Sequence, residues 1–292
     1  MDRIAESEMI LNDRGAIYHL NLRPGELAPL VITVGDPGRV SEVSKHFDKI
    51  EHRSSHREFN THTGYIGKKR LSVVSTGIGP DNIDITLNEL DALVNIDFEA
   101  RAVKKDLTAL TIVRMGTCGG LQPDIPTDGL IASSHGLGLD NLMHYYKFGQ
   151  TREEDIIINT FIEHADLYKK HINPYLVQGN SDLLQAFIKA GYFHGITATC
   201  PGFYAPQGRM LRIPVNFPDL PEKLSSFRYR DFRITNFEME TSAIYGLGKL
   251  MGHQCLSINT VVANRTTHQF SKDSKKAIEK MIAKSLETLL YL

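Results

Sequence analysis

Arginine, glycine and a hydroxyl residue occur together in Arg114-Met115-Gly116-Thr117-Cys118-Gly119-Gly120, directly after an apolar run. A guanidinium donates forked hydrogen bonds to phosphate or carboxylate, and glycines let a ligand approach the backbone. An earlier segment, Gly35-Asp36-Pro37-Gly38-Arg39, combines glycines that permit a tight turn with one arginine. Both segments therefore predict anion binding. The alternatives are an internal ion pair for Arg114 and a plain turn with a solvated arginine for Arg39.

A third segment, Gly202-Phe203-Tyr204-Ala205-Pro206-Gln207-Gly208-Arg209, joins aromatic rings to an amide and a guanidinium two residues apart. Aromatic rings can sandwich a flat heterocycle, while the amide and the guanidinium bond its polar edge. The segment therefore predicts a site for a flat heterocyclic ligand. The alternative is a loop that is anchored by its own aromatic side chains.

Two acids bracket a methionine in Glu238-Met239-Glu240, immediately before a helical pattern that runs from Thr241 to Met251. These carboxylates can favour the N-terminus of the helix, and Met239 can be a core residue. The spacing alone does not decide between these structural roles and a functional one.

Three other patterns do not indicate the NAD site, metal site or cysteine nucleophile that they superficially suggest. Gly77-Ile78-Gly79 and Gly136-Leu137-Gly138 begin like a dinucleotide fingerprint but lack its third glycine, so NAD is not supported. His52 and His56 lack the glutamate of a metalloprotease helix and predict surface histidines, so no metal site is expected. Cys118 has no identifiable histidine partner, which predicts a small buried side chain rather than a nucleophile.

Short β-branched runs predict the strands that must position these residues. They are Leu30–Val34, Leu71–Ser75, Ala109–Val113, Gly129–Ser133 and Leu256–Val262. Apolar residues at helical spacing predict helices along residues 83–94, 244–251 and 278–290, and Pro80 suits the first turn of a helix. The alternation indicates an α/β fold, and the weak polar alternation within strands indicates a largely parallel sheet. Ligands of such a sheet gather beyond the carboxyl ends of its strands.

The composition excludes several classes of protein. The 292 residues contain 33 Lys+Arg and 34 Asp+Glu, a formal charge of -1, which argues against a general nucleic-acid or membrane surface. With 41% hydrophobic and 23% charged residues, the chain is expected to fold, and with no linker or repeat it predicts one domain over residues 1–292. No apolar run has bilayer length, the segment Met1–Glu8 is charged where a signal peptide is apolar, and three distant cysteines form no C-x-x-C. A cytoplasmic location is therefore expected.

Taken together, these segments resemble the nucleoside phosphorylase family. The motifs of that family occur here in the family's order, from Tyr18-His19-Leu20 to Asn264-Arg265-Thr266, as G-D-P-x-R, S-H-R-E-F, S-T-G-I-G, R-x-G-T-x-G and F-E-M-E. The ordered set is far more specific than any single motif. The resemblance implies an α/β fold, a three-layer sandwich around a mixed, barrel-like central sheet.

The resemblance also assigns roles to individual residues. The phosphate-binding set that it implies is Gly35, Arg39, Arg57, Arg114 and Thr117. The ribose-binding set is His19, Met239 and Glu240, and the base-binding set is Cys118, Gly119, Phe203, Gln207, Arg209 and Glu238. Catalysis is expected from Arg114, Gln207, Arg209 and Glu240. His19 and Arg57 are expected to reach a neighbouring subunit, so the resemblance predicts at least a homodimer, and bacterial relatives are usually homohexamers.

The implied reaction is reversible phosphorolysis, with nucleoside and phosphate as partners and no organic cofactor; a monovalent cation between subunits, near Glu58, is left open. Purine-cleaving relatives usually carry an aspartate after the last core strand, where this sequence has Val261-Val262-Ala263-Asn264-Arg265. That difference and the pair Gln207 and Arg209 predict uridine as the substrate, with deoxyuridine and thymidine as further candidates. The alternatives are a purine nucleoside phosphorylase, a nucleosidase that uses water, and a protein that binds nucleosides without cleaving them. The three arginines of the phosphate-binding set favour phosphate over water.

Overall fold

A computed structural model describes residues 3–292; Met1 and Asp2, which belong to the predicted charged N-terminal segment, lie outside the described residues. The chain divides into two compact units. The first unit comprises the residues up to Val113 together with Leu247–Gln254, and the second comprises Arg114–Gly246 and Cys255–Leu292. The interpretation of 1–292 as one domain stays a prediction.

Within the first unit, four strands are hydrogen-bonded in the order β2-β3-β4-β1. Its strands are β1 (Leu30–Val34), β2 (Lys49–His56), β3 (Phe59–Ile66) and β4 (Lys69–Ser75). β1 pairs with β4 in parallel, whereas β2, β3 and β4 pair antiparallel. The remaining elements of this unit are α1 (Arg39–Ser44), α2 (Pro80–Asn95) and the small hairpin of β5 (Ile96–Asp97) and β6 (Ala102–Val103). The predicted strands at 30–34 and 71–75 are thereby confirmed.

Helix α2 begins at the predicted proline, which has no N–H to leave unpaired in the first turn. Ile83, Leu87 and Leu90 are buried, as their spacing along one helical face predicts. Glu89 is buried on the same helix, although a carboxylate on a buried face is costly unless it is paired. Its partner is His19, whose Nδ1 lies 2.6 Å from Glu89 Oε1.

The second unit is built on a closed, barrel-like sheet of five strands in the order β7-β12-β10-β8-β13, with β13 again beside β7. The strands of the unit, including three short ones that pair with this barrel, are β7 (Thr111–Gly120), β8 (Leu130–Gly138), β9 (Tyr175–Gln178), β10 (Phe193–Thr199), β11 (Arg228–Tyr229), β12 (Phe232–Glu238), β13 (Gln254–Asn264) and β14 (Gln269–Phe270). β10 is parallel to β8 and β12, but β12 is antiparallel to β7 and β13 to β8. The prediction of an α/β fold with a mixed, barrel-like sheet is therefore confirmed, and the prediction that the sheet is largely parallel is wrong.

Five helices belong wholly or mainly to the second unit: α3 (Arg152–His164), α4 (Ser181–Lys189), α5 (Leu220–Ser226), α6 (Thr241–Met251) and α7 (Ser274–Leu290). Phe161 of α3 and Phe227 after α5 meet edge to face, with ring centroids 5.3 Å apart, in a core that also contains Ile234 and Phe237 of β12. Along residues 3–292, none of the helices has the length and apolarity that crossing a membrane requires.

The third predicted strand does not end at Val113. It continues to Gly120, so the residues from Arg114 onward lie inside β7 and not in a loop beyond it. The glycines serve close packing: a Cβ at Gly119 would lie 2.6 Å from the ring of Phe237, its partner on β12. The segment Gly136-Leu137-Gly138 likewise lies within β8, where a Cβ at Gly138 would lie 2.2 Å from the ring of Tyr175.

Candidate functional site

Arg114 is the centre of a buried cluster of polar side chains in the second unit. Its Nη2 lies 2.5 Å from Glu240 Oε2 and 3.3 Å from Glu238 Oε2, and its Nη1 donates to Asn259 Oδ1 at 2.6 Å. A Cβ at Gly116 would lie 2.1 Å from Arg114 Nη1, so the glycine two residues along β7 leaves room for the guanidinium. The ion pair that the sequence left open for Arg114 is present.

Two carboxylates on one guanidinium determine its charge state. Burial by itself lowers the pKa of Arg114, but the negative charges of Glu240 and then Glu238 outweigh it, so the pKa lies above its ordinary value. The guanidinium is therefore a permanent cation, held rigidly by β7 and β13. Its two carboxylate partners more than balance its charge, so the cluster of three carries a formal excess of one negative charge in fixed positions.

Glu238 occupies the N-terminus of α6. Its carboxylate accepts the backbone N–H groups of Glu240 at 2.9 Å and of Thr241 at 3.0 and 3.1 Å, and the hydroxyl of Thr199 at 2.8 Å. A carboxylate at this position satisfies N–H groups that no helical carbonyl can reach. This is the helix-capping alternative of the sequence, and the base-binding role of Glu238 stays a prediction.

The segment after Gly202 folds into one turn of 3₁₀ helix, Ala205–Gln207. The backbone N–H groups of Gln207 and Arg209 both donate to the carbonyl of Tyr204, at 3.0 and 2.8 Å. Gly208 closes the turn with a φ of +66°, which a residue with a Cβ adopts only at a cost. The turn therefore brings the side chains of Gln207 and Arg209 together.

Arg209 lies over the face of Phe203, with its guanidinium carbon 3.8 Å from the ring centroid. Its Nη1 donates to the Phe203 carbonyl at 2.7 Å and to the side-chain oxygen of Gln207. Burial, and after it the positive charge of Arg265, lowers the pKa of Arg209. Phe203 is 51% exposed whereas Gln207 is buried, so the amide and the guanidinium form a polar edge beside a half-exposed aromatic ring on which Arg209 stacks.

Asn264 and Arg265, which the sequence leaves outside the catalytic set, have different surroundings. The amide nitrogen of Asn264 donates to two backbone carbonyls at 2.8 Å, and its oxygen accepts the N–H groups of Thr266 and Thr267. Both polar atoms of the side chain are thus used to hold the turn. A carboxylate at this position could not donate the two hydrogen bonds that the amide nitrogen makes. Arg265 donates to the carbonyl of Gln207 at 3.4 Å and so borders the turn that carries Arg209.

The other residues of the second unit's predicted sets differ in exposure. Thr117 and Met239 are half-buried, and Gly119 is closed off by Phe237. Cys118 is buried, and burial together with the charge of Glu238 raises the pKa of its thiol, so it is no nucleophile at neutral pH.

The phosphate-binding residues predicted in the first unit lie at two turns. Gly35 follows β1, and the N–H of Gly38 donates to Asp36 Oδ1 at 2.8 Å in a tight turn that ends at Arg39, the first residue of α1. Arg57 lies in the hairpin turn between β2 and β3 with a φ of +53°, exposed, and 5.8 Å from the ring of Tyr18. The plain turn that the sequence left open around Arg39 is thus present, and the phosphate-binding roles stay predictions.

His19 is held by a residue that the sequence analysis missed. Its Nδ1 lies 2.6 Å from Oε1 of Glu89, and the same carboxylate accepts the backbone N–H groups of His19 and Leu20. The signal for Glu89 was available, since it is a carboxylate between Leu87 and Leu90 on the apolar face of a predicted helix.

A second network that the sequence did not indicate backs the N-terminus of α6. Asp140 accepts the hydroxyls of Tyr175 at 2.9 Å and Ser242 at 2.9 Å, and the N–H of Ser242 donates to Thr199 Oγ1, the hydroxyl that donates to Glu238. Burial raises the pKa of Asp140. The carboxylates beside Arg114 are thus supported by a connected chain of hydrogen bonds.

His52 and His56 both lie on β2 and face separate partners. His52 Nε2 is 3.5 Å from Glu26, and His56 Nδ1 is 3.2 Å from the carbonyl of His19. Within residues 3–292, no group of three or more His, Cys, Asp or Glu side chains is arranged to hold a metal ion.

Comparison with known proteins extends over nearly the whole chain. A family model described as the Phosphorylase superfamily matches residues 29–290. A uridine phosphorylase of Thermococcus kodakarensis is 28% identical over 289 residues, covering 99% of this chain and 92% of that protein. A uridine phosphorylase of Haemophilus influenzae is 26% identical over 279 residues, covering 91% and 94%. A crystal structure described as a Trypanosoma brucei nucleoside phosphorylase that shows uridine phosphorylase activity has a TM-score of 0.88 and 31% identity, and covers 97% of this chain and 100% of that one.

Proposed function

This chain belongs to the phosphorylase superfamily, as a pentosyltransferase of the nucleoside phosphorylase class, and we propose that its reaction is the reversible phosphorolysis of uridine. Phosphate attacks C1′ of the ribose, the bond from C1′ to N1 of the base breaks, and the products are uracil and ribose 1-phosphate. The observation that carries the proposal is that Gln207 and Arg209 hydrogen-bond to each other beside the half-exposed ring of Phe203, on which the guanidinium stacks.

That edge matches the leaving group. As the glycosidic bond lengthens, the base gains negative charge, which a guanidinium and an amide stabilise more strongly than they stabilise the neutral base. Arg209 donates to one carbonyl of uracil, while Gln207 donates to the other and accepts from the ring N–H. The ring of Phe203 packs against the base. The half-exposure of this residue supports the role.

The proposal assigns the sugar and the phosphate to the residue sets that the resemblance implies. Glu240 accepts the vicinal hydroxyls of ribose, and Met239 packs against the sugar. Phosphate is assigned to Gly35, Arg39, Arg114 and Thr117. Guanidinium and backbone N–H groups replace the hydration of phosphate with directed hydrogen bonds.

Uridine is preferred over purine nucleosides in this proposal because the turn after β13 offers no acid. A purine leaving group needs a proton, and Asn264 there uses both its amide nitrogen and its oxygen for backbone contacts. Deoxyuridine and thymidine are further candidate substrates, since Glu240 would lose only one of two hydroxyl donors from a 2′-deoxyribose.

The test is to incubate the purified protein with uridine, deoxyuridine, thymidine, inosine and adenosine, with and without phosphate, and to follow the free base. No cofactor is added to the assay. Release of uracil that depends on phosphate supports the proposal. Faster cleavage of inosine would identify a purine nucleoside phosphorylase, and cleavage without phosphate a nucleosidase. Binding of uridine without cleavage would leave only a sensing role.

We further propose that the enzyme is at least a homodimer, because His19 and Arg57 are assigned to a neighbouring subunit's site. A homohexamer, as in bacterial relatives, is the expected full assembly. A cytoplasmic location and the absence of nucleic-acid and membrane partners belong to the same proposal, which the formal charge of -1 supports. Light scattering coupled to size-exclusion chromatography measures the subunit count, and a monomer that retains full activity would contradict the shared site.

A further inference from the structure

Glu89 and His19 form the closest carboxylate–histidine pair in the first unit's described residues, with Nδ1 2.6 Å from Oε1. Glu89 also accepts the backbone N–H of His19 at 3.1 Å and that of Leu20 at 2.8 Å. The imidazole is packed edge to face against Tyr18 and Phe59, with ring centroids 4.9 and 6.0 Å away. The ring is therefore fixed both by packing and by hydrogen bonds.

The pair determines which nitrogen of His19 carries the proton. A carboxylate that already accepts two backbone N–H groups is an acceptor only, so Nδ1 must be the donor of the third bond. In the neutral ring, Nε2 then keeps its lone pair and is an acceptor. Among the residues that the structure describes, no group bonds Nε2, and the side chain is 26% exposed. The ring thus offers an acceptor to a ligand.

We propose that Glu89 is a positioning residue that holds His19 as the Nδ1–H tautomer, so that Nε2 accepts the 5′-hydroxyl of the nucleoside and selects for a free hydroxyl at that position. The inference rests on the proposed function and on the family resemblance, which places His19 of the ribose-binding set at the 5′ end of the sugar. A 5′-deoxynucleoside offers no donor to Nε2. A 5′-phosphate would bring acceptor oxygens and negative charge next to the Nε2 lone pair and the nearby Glu89 carboxylate, so its binding is disfavoured.

The Glu89→Gln variant inverts this arrangement. Glutamine must use its single oxygen for the backbone N–H groups of residues 19 and 20, so its NH₂ group faces Nδ1. The proton of His19 then moves to Nε2, which becomes a donor. The 5′-hydroxyl can then only accept from Nε2–H, and His19 has lost the charged partner that orients its ring. The ratio of kcat/KM for uridine to that for 5′-deoxyuridine should therefore fall about 10-fold, mainly through KM for uridine, similar to the loss when the carboxylate behind a metal-binding histidine is removed.

A matched control is Glu26→Gln, which also removes a carboxylate beside a histidine in the first unit, since His52 Nε2 lies 3.5 Å from Glu26. Glu26 has no assigned role, so this variant should keep the ratio of the wild type. His19→Ala should lower the ratio as far as Glu89→Gln, and the double variant should lower it no further.

The tautomer itself is measured on the wild-type protein by ¹⁵N NMR of its histidines, assigned by comparison with His19→Ala. A proton on Nδ1 of His19 is expected; a proton on Nε2 alone would overturn the proposal even if no Glu89 variant folds. An unchanged ratio in a folded Glu89→Gln enzyme that still cleaves uridine would also overturn it. Failure of the wild type to cleave uridine would instead refute the proposed function, and the selective role of Glu89 with it.

Discussion

Replacing Arg209 by methionine removes a cation from the polar edge while keeping an apolar side chain of similar length over Phe203. The arginine makes two hydrogen bonds, to the Phe203 carbonyl at 2.7 Å and to the Gln207 side chain, and lies 3.8 Å from the ring centroid. All three contacts are within one half-buried turn. We expect the free energy of unfolding to fall by no more than about 1–2 kcal/mol, because neither the bonds nor the stacking are fully buried.

The effect on catalysis should be much larger. If Arg209 stabilises the charge that develops on uracil, its loss costs about 3 kcal/mol in the transition state, or roughly 100-fold in kcat. Arg209→Lys keeps the charge but not the planar fork, so it should lie between the methionine variant and the wild type. KM for phosphate should not change, because phosphate is assigned to other residues.

The assay follows uracil release spectrophotometrically, with urea unfolding of each variant measured in parallel. Arg212→Met is the control, since this arginine lies three residues further along and is exposed. It should retain the kcat of the wild type. A folded Arg209→Met enzyme whose kcat for uridine is within about threefold of the wild type would refute the assignment of the leaving-group charge to this residue.

Three further results are expected. Glu240→Gln should lower kcat/KM for uridine about 100-fold but the free energy of unfolding by only about 1–2 kcal/mol in urea titrations, because Arg114 keeps a second carboxylate. Burial lowers the pKa of His135 from 6.5 to about 4, so the native state binds this proton less tightly than the unfolded chain does. Stability should therefore be lost as the pH falls from about 6.5 to about 4, by roughly 3 kcal/mol in total, and urea titrations at pH 7 and pH 4.5 should show a smaller loss for His135→Gln. When His19→Ala and Arg209→Met are refolded together, kcat/KM for uridine should exceed that of either variant alone, since mixed oligomers contain some sites with neither change; no such increase would contradict the shared site.

The helices were predictable where apolar spacing and a start signal agree. Helix α6 has the predicted bounds, Thr241–Met251, and α2 begins at Pro80. Strands with β-branched runs were also found. β3 was missed because two of its buried residues, Thr61 and Thr63, are polar. Buried and half-buried positions alternate from Phe59 to Thr63, but apolar and polar residues do not, so the sequence lacks the usual strand pattern.

The ends of the strands were harder to predict, and the reason is physical. Glycine after an apolar run indicates a turn when its freedom of φ is used. In β7 and β8 the absence of a side chain is what matters, since Phe237 and Tyr175 fill the space that a Cβ would take. Such packing depends on residues more than 30 positions away in the sequence, and the local pattern contains no sign of them.

The two glutamates around Met239 show why spacing alone could not separate their roles. β12 ends at Glu238 and α6 begins at Thr241, so the first carboxylate turns back onto the N–H groups of the new helix, while Glu240 contacts Arg114. The capping carboxylate still lies 3.3 Å from the same guanidinium, which leaves a formal excess of one negative charge on the cluster of three. A sugar that gains positive charge as its base departs is attracted by such an excess, whereas a single paired glutamate would offer none. The residue that caps the helix therefore also supports the charge that the proposed reaction requires.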